Sequence, residues 1–179
     1  MSTETVSKWT VDPSHSEITF KVKHLVISTV TGKFKTFDAS IESENEDFDN
    51  AKVTFEADIN SIDTGNEDRD NHLKSDDFFN ASEHPKLTFE STSFKKVGDG
   101  EFKLVGDLTI RGNTKTVELD AEYGGTVEDP YGNTKAGFDV TGKINRKEFG
   151  LKWNAVTEAG SVVVSDDVKL NLNVQFTKS

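Results

Sequence analysis

The chain has no cysteine, only three prolines and a single methionine in 179 residues. Without a thiol there is no disulfide framework, no thiolate metal site and no cysteine nucleophile. The four histidines, at positions 15, 24, 72 and 84, show neither H-x-x-x-H nor H-x-H spacing, so no local metal-ligand pattern is present. A G-x-S-x-G elbow, a P-loop and a strand-to-helix G-x-G-x-x-G are also missing, which removes the common hydrolase and nucleotide signatures. Nothing reads as a catalytic site, and no cofactor is expected beyond a bound ligand. No run approaches the roughly 18–20 apolar residues of a membrane helix, so stable membrane insertion is not expected. The segment from Met1 to Trp9 lacks the basic and apolar regions of a signal peptide, which points to the cytoplasm, or to the periplasm if a longer precursor was trimmed. Positive charge is scarce as well: 21 basic residues face 32 acidic ones, for a formal net charge of −11. Such a surface repels nucleic-acid phosphate and anionic lipid head groups, so neither is expected as a general partner, and its plainest consequence is solubility.

What is present is phenylalanine, thirteen of them, laid out at period 2. The length suits one domain over residues 1–179. Ile18, Phe20 and Val22 share a face with His24 at the end of their column, while Thr19, Lys21 and Lys23 take the other. Val30, Gly32 and Phe34 run in one phase and Phe37, Ala39 and Ile41 in the other, a switch that a bulge or sharp bend produces. After an acidic loop around Glu44 to Asp49, Val53, Phe55, Ala57 and Ile59 alternate cleanly. Further rows are Leu87 and Phe89 running on to Phe94; Phe102, Leu104, Leu108 and Ile110; and Val117, Leu119, Ala121 and Tyr123. The last two are Phe138, Val140 and Ile144, then Val168 to Phe176. Asp99-Gly100, Gly112-Asn113 and Asp129 to Asn133 read as turns. Asn145 to Gly150 breaks the pattern, and a polar loop spans about 154–161. Eight or nine such strands indicate a sandwich or a closed antiparallel barrel. Gly106 and Gly142 sit in register with large inner residues, and such mixing can leave room for one ligand in an eight-stranded barrel. Periodicity alone does not separate a filled core from a hollow one.

The alternation stops between Asp58 and Phe89. Asn66 to Lys74 suits one or two helical turns, with Thr64 or Asn66 as N-cap and acidic residues in the first turn. Leu73, Phe78 and Phe79 are the apolar anchors of a segment, near residues 66–79, expected to cap one end of the barrel. Arg69 stands among Glu67, Asp68 and Asp70, so it reads as an ion pair tying the cap together, or else as a cation facing an anionic head at a pocket mouth with His72. Arg146 invites the same two readings. His24 reads as a hydrogen-bonded structural residue or as a polar group closing an apolar column, and His15 as the fastener of a turn.

Several motifs then occur in order along the chain: WTVDPSHS at Trp9 to Ser16, His24-Leu25, GKFKTF at Gly32 to Phe37 and SIDTG at Ser61 to Gly65. They continue with RDNHLKSDDFF at Arg69 to Phe79, HPKLTF at His84 to Phe89, GDLTIRG at Gly106 to Gly112 and NRKEFGLKW at Asn145 to Trp153. Together they resemble the YceI-like family of lipocalin-like barrels over essentially the whole chain. That resemblance implies an all-β, extended eight-stranded antiparallel barrel whose apolar lumen holds a long isoprenoid or other amphipathic lipid. It also implies binding, storage or transport of a polyisoprenoid or isoprenoid quinone and establishes no catalysis, so a non-enzymatic role is expected. Many members of the family are periplasmic, and His84-Pro85 stands where the family often has Tyr-Pro. Phe20, Val22, Phe34, Phe55, Phe89, Leu108, Phe138 and Leu170 are expected to contact the tail, and His24, Arg69, His72 and Arg146 the polar end. Two other readings stay open: a filled barrel acting through its acidic surface as a stress-related protein-interaction module, and an enzyme on a small hydrophobic substrate. Barrel edges and a lid exposing Phe78 or Phe79 would also suit a homodimer.

Overall fold

A strand that alternates apolar and polar residues must hide one face, and a long run of such strands can do so by curling until its edges meet. The computed structural model of the chain describes residues 7–24, 28–44, 48–75, 78–151 and 164–178, with backbone alone at 24, 28, 164 and 165. Its strands are β1 (Ser7–Val11), β2 (Glu17–His24), β3 (Ser28–Phe34), β4 (Phe37–Ser43), β5 (Lys52–Asp58), β6 (Ile62–Asp63), β7 (Lys86–Gly98), β8 (Glu101–Ile110), β9 (Asn113–Glu128), β10 (Thr134–Asn145) and β11 (Val164–Lys178). One helix, α1 (Glu67–Lys74), lies between β6 and β7.

The pairings are antiparallel and follow chain order. β1 and β2 are two parts of one wall strand, interrupted by a 3-10 turn over Pro13–His15. β3 and β4 are likewise two parts of the next, bent at Lys35 and Thr36, which is the physical form of the phase switch after Phe34. β1 pairs with β4 (Trp9 opposite Ile41) and β2 with β3 (Ile18 opposite Phe34), while β11 runs along both β2 and β1. Counted this way the molecule is a closed eight-stranded meander; β6 adds a two-residue flap on β3.

The interruption of β1–β2 is held by Asp12. Its carboxylate accepts from the Ser14 amide and hydroxyl (3.2 and 2.7 Å), bonds His15 Nδ1 at 2.9 Å and meets Lys135 Nζ at 3.1 Å. These bonds, the Ser14 contact foremost, hold the carboxyl well below the usual range. His15 is indeed a turn fastener. The turn before β9 sits one residue earlier than its composition suggested, with Arg111 and Gly112 both left-handed (φ 51° and 73°).

The two barrel ends are closed differently. One carries α1 and the Arg146–Phe149 turn. The other carries the β4–β5 connection, which reads as a polar acidic loop but delivers Phe48 into the interior, 1% exposed. Its ring lies 5.2 Å from Trp9, 5.6 Å from Tyr123 and 5.2 Å from Phe138.

Candidate functional site

Inside the wall is a cavity of about 550 Å³, within the roughly 300–1,000 Å³ of small-molecule pockets. Apolar side chains from β2, β3, β4, β5, β7, β8, β9, β10 and β11 line it. All eight residues expected in the lumen border it: Phe20, Val22, Phe34, Phe55, Phe89, Leu108, Phe138 and Leu170. Val30, Val117, Leu119 and Leu172 join them; their places in the alternating rows were the signal for them.

Its two halves differ. Toward α1, Phe20, Val22, Val30, Phe55, Val168, Leu170 and Leu172 stay partly accessible although they point inward, because they border empty space. Toward the chain termini, Phe94, Phe102, Phe138 and Phe176 are 2–4% exposed. Glycines shape the wall. A Cβ on Gly32 would stand 2.3 Å from the Phe20 ring, one on Gly142 would stand 2.1 Å from Leu119 Cδ2, and one on Gly106 would meet the Glu90 carbonyl and the Phe89 ring at 2.5 Å. Each glycine therefore lets a neighbour lie flat along the wall. Gly106 and Gly142 relieve packing, as the filled-barrel reading supposed, yet the cavity exists.

The cap is built from local chemistry. Asn66, not Thr64, is the N-cap: its Oδ1 accepts from the Arg69 amide at 3.1 Å. Thr64 is buried and donates from its amide (2.9 Å) and hydroxyl (2.5 Å) to Asp70 Oδ1. The Arg69 side chain donates to the Thr64 hydroxyl (2.8 Å) and carbonyl (2.6 Å). This corrects the expected ion pair: among the described residues Arg69 forms none, because the Asp70 carboxylate is turned to Thr64. Arg69 ties the cap through Thr64 and borders the cavity with His72 and Leu73. Phe78 is buried against His72 (ring centroids 5.1 Å apart), and Phe79 meets Phe34 edge-on at 6.3 Å. Phe78 turns inward, and Phe79 packs on the core while staying partly exposed.

Arg146 is 3% exposed and also borders the cavity. It donates to the Leu151 carbonyl at 2.6 Å, lies 5.9 Å over the Phe78 ring and has Asp166 at 4.0 Å. Burial lowers its pKa, with Asp166 opposing, and a guanidinium remains cationic in a protein. Two residues that sequence reasoning passed over brace this end: Arg111 donates to the carbonyls of Phe78 (3.0 Å) and Gly150 (3.3 Å), and Asn113 to that of Phe149 (2.9 Å). His24 pairs through its backbone with Ser28 and Val164; its side chain, like the loop at 154–161, lies outside the described residues. Among the described residues no three His, Cys, Asp or Glu side chains gather as a metal site, and no helix is long and apolar enough to cross a membrane. The arrangement is an apolar tube with cations at one end and an aromatic stack at the other.

Known proteins share the fold. The model of the YceI-like domain matches residues 9–176. A UPF0312 protein of Staphylococcus aureus is 41% identical over 175 residues, covering 97% of this chain and 99% of that protein. The crystal structure of a YceI protein of Campylobacter jejuni superposes with a TM-score of 0.75 at 37% identity, over 89% of this chain and 91% of that one. A polyisoprenoid binding domain from Saccharophagus degradans has the same fold, with a TM-score of 0.64 at 14% identity over 96% and 98% of the two chains.

Proposed function

The chain belongs to the YceI-like family, and from that premise we propose that it binds, stores or transports a long-chain amphipathic lipid of the polyisoprenoid or isoprenoid quinone type, without catalysis. The observation that carries this reading is the cavity of about 550 Å³, walled by apolar rows that remain accessible from within. A similar barrel from Saccharophagus degradans is described as polyisoprenoid binding, which supports the same class of cargo. Affinity comes from buried area: at about 25 cal/mol per Å², a few hundred Å² of tail contributes several kcal/mol before ordering costs. The polar head lies at the α1 end, where Arg69, His72 and Arg146 border the cavity, with His24, the last residue of β2, as a further candidate. Phe20, Val22, Phe34, Phe55, Phe89, Leu108, Phe138 and Leu170 take the tail.

Mass spectrometry of organic extracts from natively purified protein tests the proposal, against a denatured and refolded control. A stoichiometric isoprenoid or quinone in the native sample alone is the expected result. A clean extract, with no uptake of such lipids when they are offered, would overturn it and leave the barrel as a protein-interaction module.

A further inference from the structure

The tube does not end in an open mouth at the terminal side. Phe138 borders the cavity together with Phe94 and Phe176 and is the hub of the ring cluster there, meeting Phe94 at 6.1 Å, Phe102 at 6.4 Å, Phe176 at 6.2 Å and Tyr123 at 5.3 Å. On its far side stands Phe48, edge-on at 5.2 Å. Phe48 does not border the cavity and does not belong to the wall; it comes from the β4–β5 connection, where it holds a left-handed backbone (φ 65°). A bulky residue rarely adopts that conformation unless its surroundings impose it. The imposing contacts are visible: the Asn50 amide donates to the Phe94 carbonyl at 2.9 Å, and the Lys96 amide to Asp49 Oδ1 at 3.1 Å. The connection is thus pinned to β7 with its ring pressed up behind Phe138.

Resting on the lipid-binding reading above, we propose that Phe138, braced from behind by the loop-borne Phe48, is the length stop of the lumen and sets the longest tail that the barrel can enclose with its head left at the α1 end. Inward residues on one strand are two positions apart, about 6.6 Å along the strand. In a barrel tilted by about 40° that is about 5 Å along the axis, close to one isoprene repeat. Moving the floor by one inward position therefore moves the limit by about one isoprene unit.

The test is a binding series of all-trans prenols of rising isoprene number against the wild type and three variants. Phe138→Leu and Phe48→Leu keep the core apolar while shrinking the floor or its brace. Val140→Phe builds a ring one inward position above Phe138, opposite Leu172. Near-ultraviolet circular dichroism and a cooperative urea transition confirm that each variant is folded. In the wild type, affinity rises with length and then stops rising. Phe138→Leu and Phe48→Leu carry that limit about one unit longer, and Val140→Phe brings it about one unit shorter. A limit that none of the three moves overturns the length stop while leaving lipid binding intact, and affinity that rises without limit does the same. Failure of the wild type to bind any prenol overturns the lipid-binding reading itself, and the length stop with it.

Discussion

The two halves of the barrel interior are written in the same alternating pattern and end in opposite states. Toward the termini the inward residues are rings that meet one another: Phe94 and Phe102 stack at 4.6 Å, and Phe138 is edge-on to both. Toward α1 the inward residues are mostly aliphatic, and Phe20 lies flat over Gly32. An inward row guarantees only that a side chain leaves water; whether it meets a partner depends on its volume and on what the loops push in. One half accordingly carries stability and the other keeps space.

Truncation gives the largest expected contrast. Phe138→Ala in the filled half should cost about 3–5 kcal/mol, read as the shift of the urea midpoint. Phe20→Ala should cost only about 1–2 kcal/mol, since its ring already borders empty space, yet weaken binding of a prenol. Equal losses would erase the distinction between the halves. The glycines sharpen it next. Gly106→Ala forces a Cβ against the Glu90 carbonyl and the Ser91 Cα, backbone that cannot step aside, so it should cost about 1–3 kcal/mol by the same measurement.

The interruption of the β1–β2 wall strand, which Asp12 holds, responds to pH. Its carboxyl pKa is lowered in the fold, so its contribution is complete above the unfolded value of about 4 and is lost as the pH falls below it. Asp12→Asn should therefore cost roughly 1–2 kcal/mol at pH 7 and flatten the acid limb of a stability-against-pH curve; an unchanged slope between pH 5 and 2 would show the joint to be inert. Smallest is Gly142→Ala, whose Cβ would clash with Leu119 Cδ2 and make ordinary contact with the rest of that side chain. That methyl can swing into the cavity, so the variant should lose less than about 1 kcal/mol while reducing prenol affinity.

Much of this was legible in the residues. Strand rows, most turns, the position of the cap and the inward set follow from period 2, because that period is a property of the strand itself. The break after Phe34 was visible for the same reason. Phe48 was not, because it stands in a polar run with no periodic partner, on a backbone conformation that phenylalanine rarely takes. Of the two readings of Arg69 the ion pair fails, because its sequence neighbours are carboxylates but the adjacent one, Asp70, is already engaged by Thr64 from outside the helix. Arg111 and Asn113 were missed because a carbonyl anchored across the barrel end leaves no mark on local sequence. Filled and hollow halves could not be told apart, since volume does not alternate.

The most direct measurement is a crystal structure of the protein loaded with a prenol analogue brominated at the tail terminus. Anomalous density for bromine resting on Phe138, with the head beside Arg69, His72 and Arg146, is the expected result. Bromine at the α1 end, outside the wall, or absent from a lumen closed by side-chain collapse would contradict a tube that is hollow above and stopped below.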